Sequence, residues 1–494
     1  MRIYETALWI MNLAIIISCV YLLGKHKRSV HLCYWAAGLS GGLSIIQMLT
    51  EGYRWQMIPT YAECLIVGGL ALYHLRQSTH SKDHPSVQPA KRFAVMTAIK
   101  RWITALLLIV YIGVSAALPI LLPVFSFAEP QGPYPVGSTT MVLEDERREE
   151  PATDDPADSR KLKIQIWYPA SLGTGTGKSP YINHLPVVLE GLRQAISIPP
   201  FLLGQLKYVQ SHSEQDAELS TDQDRFPVLL FSHGLTGFRN QNTFQVEELA
   251  SRGYVVVGID HPYDAAAVVF PDQTAMLKLE NLSGFDAYEK KSQLWVEDAK
   301  FVLDQLELLN GSDHKGIFSE RLDMDKVGMF GHSFGGATAA QMLLADSRVK
   351  AALNMDGTLY GQPVPEGGYG KPYMQMNAES SVDRLAFEQS LDQAIESSGR
   401  SREDYEQFWA ESADRRKRAG AGEGYSVVFA NANHMSFTDF YLFSPLLPPT
   451  GAAPRQMHRS INELSSAFFD RYVKGDTNVS LKKVSQGLPH LTMP

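Results

Sequence analysis

Cysteine is nearly absent from this chain. Its 494 residues include three, Cys19, Cys33 and Cys64, all near the N-terminus. The long polar remainder has none, which excludes a disulfide framework or a cysteine-built zinc site there. An excess of basic charge is missing too: 53 Asp and Glu against 45 Lys and Arg give a net charge of −8. With no basic stripe and no base-stacking module, the sequence argues against a nucleic-acid partner. It has no phosphate loop of the full Gly-x-x-x-x-Gly-Lys-Ser pattern, and no His, Asp or Glu cluster has metal-ligand spacing. No cofactor and no metal are therefore expected. No internal repeat is evident. The opening "MRIYETALWI" is too weakly basic to be expected as a cleavable signal peptide.

Long apolar runs are plentiful, but only in the first quarter. Residues 4–23, 32–50, 57–75 and 103–125 each approach the roughly 20 residues that a bilayer-crossing helix needs. Four in succession predict a transmembrane region over 1–127, with a second domain over 128–494. The first connection carries Lys25, Lys27 and Arg28, and the third carries Arg76, Lys82, Lys91, Arg92, Lys100 and Arg101. The second has only Arg54 against Glu51. Positive loops stay cytoplasmic, so both termini and the second domain are expected outside, in a multi-pass cell-membrane protein. The spans show no charge pair or ion path. Glu63 is a lone acid within the third, expected at a membrane interface or in a helix contact. The region reads as an anchor.

Beyond residue 127, strand and helix patterns alternate. Strands are predicted at 162–167, 226–232, 254–259, 327–330, 351–355, 373–377 and 425–430, and helices at 243–252, 288–309, 336–343, 402–418 and 461–473. Runs such as "PVLLF", "YVVVGI" and "VKAALNM" are continuously apolar, as parallel strands buried on both faces are. The alternation predicts an α/β fold, a mostly parallel sheet flanked by helices. "EDERREEPATDDPADSR" reads as a solvated acidic loop between strands. Residues 264–287 and 367–372 read as loops over a site.

The site is marked by "KVGMFGHSFGGATAAQMLL", where Gly331-His332-Ser333-Phe334-Gly335 joins a strand-like run to an alanine-rich helix. This is the Gly-x-Ser-x-Gly pattern of a nucleophile elbow. The tight turn exposes the Ser333 hydroxyl and aims a helix N-terminus at it, so the Phe334 N–H can donate to a developing oxyanion. A second donor is expected after an earlier strand, at Leu235 in "FSHGLTGFRN", with His233 a structural residue of that turn. The base and acid should follow the serine in chain order. Of His434, His458 and His490, His434 is the candidate, in a loop after a strand in "NANHMSFTDF". For the acid, Asp356 ends the strand of "VKAALNMDG" and holds a slight lead over Glu379 and Asp383.

The segments "FSHGLTGFRN", "GHSFGG", "NMDGTLYG", "MNAES" and "NANHMSFTDF" resemble the plasma, lipoprotein-associated platelet-activating factor acetylhydrolases. "DSRKLKIQIWYPA" and "YVVVGIDHPYDAAA" extend the resemblance, which covers roughly residues 137–473. It implies an α/β-hydrolase fold and calcium-independent cleavage of short or oxidised acyl chains from phospholipids. It further implies Ser333 as nucleophile, Asp356 as acid, His434 as base, and Leu235 and Phe334 as oxyanion donors. The N-terminal spans depart from the secreted plasma enzymes.

The expected function is a membrane-anchored serine esterase acting on lipid or small ester substrates. Two alternatives stand beside it. One is a general carboxylesterase, or a polyester or dienelactone-type hydrolase. The other is a membrane receptor whose hydrolase-like domain only binds.

Overall fold

Apolar runs of two lengths build the chain, about 20 residues in its helical beginning and five to seven in the strands that follow. The computed structural model describes residues 1–23, 30–80, 91–313, 315–448, 453–488 and 490–493. They form two compact units, Met1–Val124 with Phe443–Leu446, and Phe125–Leu442 with Leu447–Pro494.

The first unit holds helices α1 (Ile3–Leu23), α2 (Val30–Glu51), α3 (Ile58–His80) and α4 (Lys91–Leu121). Among the described residues, Leu32–Glu51 and Trp102–Leu121 are long and apolar enough to cross a membrane. That is two stretches where four were expected. The sequence of α1 stays apolar to Leu23, but its side chains are described only to Cys19, and α3 carries Glu63 and a polar end. Polarity is inverted relative to a water-soluble bundle. Trp35, Leu49, Leu65 and Trp102 are exposed, whereas Asn12, Ser40, Glu63 and Ser115 are buried. The buried groups bond across helices: Ser40 Oγ donates to Asn12 Oδ1 at 2.6 Å, and Ser115 Oγ to Glu63 Oε1 at 2.8 Å. The expectation of no buried charge pair fails. Arg54, in the α2–α3 turn, donates twice to Glu5 of α1, at 2.7 and 2.6 Å, with both side chains buried. Antiparallel packing brings together residues 49 positions apart, which no local pattern reveals. Lys25, Lys27, Arg28 and Lys82, which oriented the spans, lie outside the described residues.

The second unit is built on one sheet. Its strands are β1 (Val136–Glu149), β2 (Ser159–Pro169), β3 (Lys178–Pro180), β4 (Gln210–Gln215), β5 (Phe226–Ser232) and β6 (Val255–Asp260). After a separate hairpin of β7 (Ala267–Val269) and β8 (Thr274–Met276) come β9 (Leu322–His332), β10 (Val349–Met355), β11 (Tyr373–Ala378), β12 (Gly424–Phe429) and β13 (Leu491–Thr492). The order is β13-β12-β11-β10-β9-β5-β6-β2-β1-β4-β3. From β6 through β12 the neighbours run parallel. Every residue of β5, β6 and β11 is buried, as strands covered on both faces are. The helices are α5 (Leu185–Ile196), α6 (Thr243–Ser251), α7 (Gly284–Gly311), α8 (Phe334–Ala345), α9 (Glu379–Val382), α10 (Arg384–Ser398), α11 (Arg402–Ala419), α12 (Pro454–Tyr472) and α13 (Leu481–Gln486). The chain moves outward from β5 to β6, then returns to place β9 on the other side of β5. Reversals of this kind open a crevice at the carboxyl ends of the strands, where ligands of open α/β sheets bind.

The acidic stretch is not a solvated loop throughout. β1 runs through it to Glu149, pairing Glu144 with Lys161 and Asp145 with Arg160. Arg148 and Arg160 converge on buried Asp298 of α7, at 2.9 and 2.7 Å. Burial pushes the Asp298 carboxyl up, but Arg160 and His261 outweigh it and hold the group well below the carboxylate range. Arg148 and Arg160 are matched by a residue distant in sequence, so composition alone reads the stretch as surface.

Candidate active site

Ser333 sits between β9 and α8 with φ 55° and ψ −123°, a left-handed conformation that costs about 1–3 kcal/mol for a residue with a side chain. The neighbouring glycines permit the turn. A β-carbon at Gly331 would lie 2.3 Å from the Gly335 carbonyl carbon, and one at Gly335 would lie 2.1 Å from the Ser232 oxygen. The Ser333 N–H donates to the Met355 carbonyl at 2.9 Å, tying the elbow to β10.

Three strand ends meet there. His434 opens a short turn after β12, capped by Asn433, which accepts from the Met435 N–H. Its Nε2 is 2.9 Å from Ser333 Oγ, and its Nδ1 is 2.8 Å from Oδ2 of Asp356, after β10. The Asp356 side chain is 2% exposed and that of His434 45%, so the acid is shielded while the imidazole stays reachable. Asp356 also accepts from the Ala378 N–H at 2.8 Å and the Ser381 hydroxyl at 2.7 Å. The rival acids are engaged elsewhere. Glu379 accepts from the Asn431 N–H at 2.7 Å, and Asp383 caps α10 by accepting from the Leu385 N–H at 3.0 Å. His458 lies in α12, stacked on Phe244, and the His490 carbonyl accepts from the Ala430 N–H just past β12.

A cavity of about 320 Å³ opens over Ser333, and Leu235, Phe334 and His434 share its wall. Phe334 is the first residue of α8, where an amide has no partner inside the helix. Among the described residues, neither of the expected covering loops contributes; Tyr288 and Tyr360 close that side instead. The described residues contain no group of three metal-ligating side chains.

Sequence reasoning missed the support for His434. His332, the variable residue inside the elbow pattern, donates from Nε2 to the His434 carbonyl at 2.9 Å. Gln241 Nε2 donates to its other nitrogen at 3.1 Å, which fixes that tautomer. Burial, and then the nearby His434, hold His332 well below the usual histidine value, so it stays neutral. Its position inside the motif was the only available signal, because its partners lie 91 and 102 residues away. His233 donates from Nδ1 to the Gly234 carbonyl at 2.6 Å and accepts from the His261 N–H at 3.2 Å. It serves as a turn brace.

Burial lowers His458 to about 4 from the ordinary 6.5. A folded value below the unfolded one means that the unfolded chain binds more protons between pH 6.5 and 4. The contribution of His458 to stability is therefore complete above pH 6.5 and is lost as pH falls towards 4, by about 3 kcal/mol in all. In urea titrations across this range, His458→Gln is expected to flatten the pH dependence by about one proton, or ~1.4 kcal/mol per pH unit. An unchanged slope would show that His458 titrates normally.

The family model described as platelet-activating factor acetylhydrolase, isoform II, matches residues 124–301 and 304–376, just over half of the chain. The chain belongs to that family. Among acetylhydrolase relatives, the "Platelet-activating factor acetylhydrolase" of Cavia porcellus is 27% identical over 329 residues, 58% of this chain and 68% of the relative. A "Probable 1-alkyl-2-acetylglycerophosphocholine esterase" of Arthroderma benhamiae is 32% identical over 162 residues, 32% of this chain but 39% of that protein's length. A ferulic acid esterase from Streptomyces cinnamoneus, of known structure, superposes with a TM-score of 0.57 at 26% identity, covering 75% of this chain and 99% of its own. With the sheet described above, that likeness gives the second unit an α/β-hydrolase fold.

Proposed function

We propose that this chain is a membrane-anchored serine esterase that hydrolyses short or oxidised acyl esters of phospholipids through an acyl-enzyme. The observation that carries the reading is the continuous Ser333–His434–Asp356 hydrogen-bond chain opening onto a cavity. His434 Nε2 takes the Ser333 proton as Oγ attacks the ester carbonyl. The Leu235 and Phe334 N–H groups receive the developing oxyanion. His434 then returns the proton to the leaving alcohol, and water resolves the acyl-serine by the reverse relay. Asp356 holds the imidazole in the required tautomer and stabilises its charged form. Names of the relatives support acetyl ester hydrolysis of an alkyl glycerophosphocholine.

The inverted polarity of α1–α4 supports an integral anchor of four spans, and the Lys and Arg content of the first and third connections favours the hydrolase domain on the extracytoplasmic side. Holding the elbow at the bilayer surface raises the local concentration of an amphiphilic ester. Protease added to intact cells is expected to digest the domain beyond residue 127. Protection until lysis would contradict the topology.

A general carboxylesterase is the second reading, favoured by the ferulic acid esterase likeness. Steady-state rates on a chain-length series of soluble esters, set against phospholipid vesicles, separate the two. A preference for vesicles with short sn-2 chains supports the lipid reading, and activity confined to soluble esters supports the other.

A further inference from the structure

Arg416 stands apart on α11. Two of its neighbours there are neutralised within the helix, Arg415 by Glu411 at 2.6 Å and Arg418 by Asp414 at 2.7 Å, and Lys417 is exposed to solvent. Both partners lie four residues earlier, alongside on a helical surface. Four residues before Arg416 comes Ser412, which is buried and whose hydroxyl finds no partner among the described residues. No carboxylate among the described residues lies within 4.0 Å of the Arg416 guanidinium. Its recorded neighbour is the Trp409 ring, 5.9 Å away.

Arg416 instead forms part of the cavity wall that Ser333 and His434 share. Asp356, in the same wall, is already committed to His434, the Ala378 N–H and the Ser381 hydroxyl. Burial draws the Arg416 pKa below its ordinary value, partly countered by the Asp356 charge. A guanidinium nevertheless remains protonated at physiological pH. A partly desolvated cation with no carboxylate in direct contact is costly, and an anion delivered to the cavity offsets that cost. The planar donor fork fits two oxygens of one phosphate or carboxylate.

We propose that Arg416 is a specificity-determining residue that pairs with an anionic group, a phosphodiester or a carboxylate, carried by the ester that Ser333 cleaves. This rests on the esterase reading above. Electrostatic pairing across the cavity would place the scissile carbonyl relative to the elbow and discriminate against neutral esters.

The test uses the full chain and three dissolved esters: neutral p-nitrophenyl butyrate, the p-nitrophenyl monoester of glutaric acid, and dibutanoyl phosphatidylcholine as monomers. Arg416→Gln is expected to lower kcat/KM about tenfold or more for at least one charged ester, chiefly through KM. The neutral ester should stay within about twofold, and Arg416→Lys should recover part of the loss. The affected ester identifies the source, the carboxylate of an acyl chain or the phosphodiester of a head group. Equal loss on all three esters would overturn the proposal, because it would place Arg416 in support of Asp356 or of the fold. Unchanged rates on both charged esters would also overturn it, as would a wild type that cleaves only the neutral one. If the wild type cleaves none of the three, the esterase reading fails and the proposal falls with it.

Discussion

Ser333→Ala is expected to lower ester hydrolysis by a factor on the order of 10⁴–10⁶ while leaving the unfolding midpoint within about 2 °C. The hydroxyl is the atom that forms the acyl bond, and no other group in the cavity wall can take its place beside His434 Nε2. Its removal leaves no large void, and the Ser333 N–H keeps its bond to Met355. The backbone strain at φ 55° is the same for alanine as for serine. His434→Ala should be about as severe, because a nucleophile without its base gains little from the rest of the array. Residual activity above about 1% in either variant, measured on a soluble ester with purified protein, would contradict the assignment.

Asp356→Asn is expected to lower kcat by about 10⁴ with little change in KM. The carboxylate accepts from His434 Nδ1, the Ala378 N–H and the Ser381 hydroxyl. An amide turned to keep its oxygen on the backbone donor presents an NH₂ group towards His434. The imidazole must then carry its proton on Nε2, facing Ser333, where it cannot act as a base. Asp383→Asn, on the exposed cap of α10, should stay within about threefold of the wild type. A large loss at Asp383 with little at Asp356 would move the acid to the later strand.

What could be read in the sequence was whatever is local. The β5 run "FPVLLFS" is apolar on both faces, and the structure has a strand over the same seven residues, Phe226–Ser232. The elbow is legible because its glycines and serine are consecutive and each answers to one steric demand. Features that depend on distant partners were not legible. The charged end of β1 read as a loop because Arg148 finds its partner in Asp298, 150 residues away. Helix α10 went unnoticed because it buries only Leu391 and so shows no apolar stripe. β4, "QSHSEQ", is a polar strand near the sheet edge. In the site, Asp356, Glu379 and Asp383 were nearly equivalent by spacing. Their hydrogen-bond partners distinguish them, and those are set by how the loops after β10, β11 and β12 close on one another. The brace from His332 to the His434 carbonyl spans 102 residues and belongs to the same class.

Labelling with a fluorophosphonate, followed by peptide mass spectrometry, tests the central claim most directly. Such a probe phosphonylates a serine only where a base and oxyanion donors already activate it. The account predicts one adduct per chain, on the peptide containing Ser333, absent in Ser333→Ala and strongly slowed in His434→Ala. A folded wild-type chain that takes up no probe, or that carries the adduct on another residue, would contradict it.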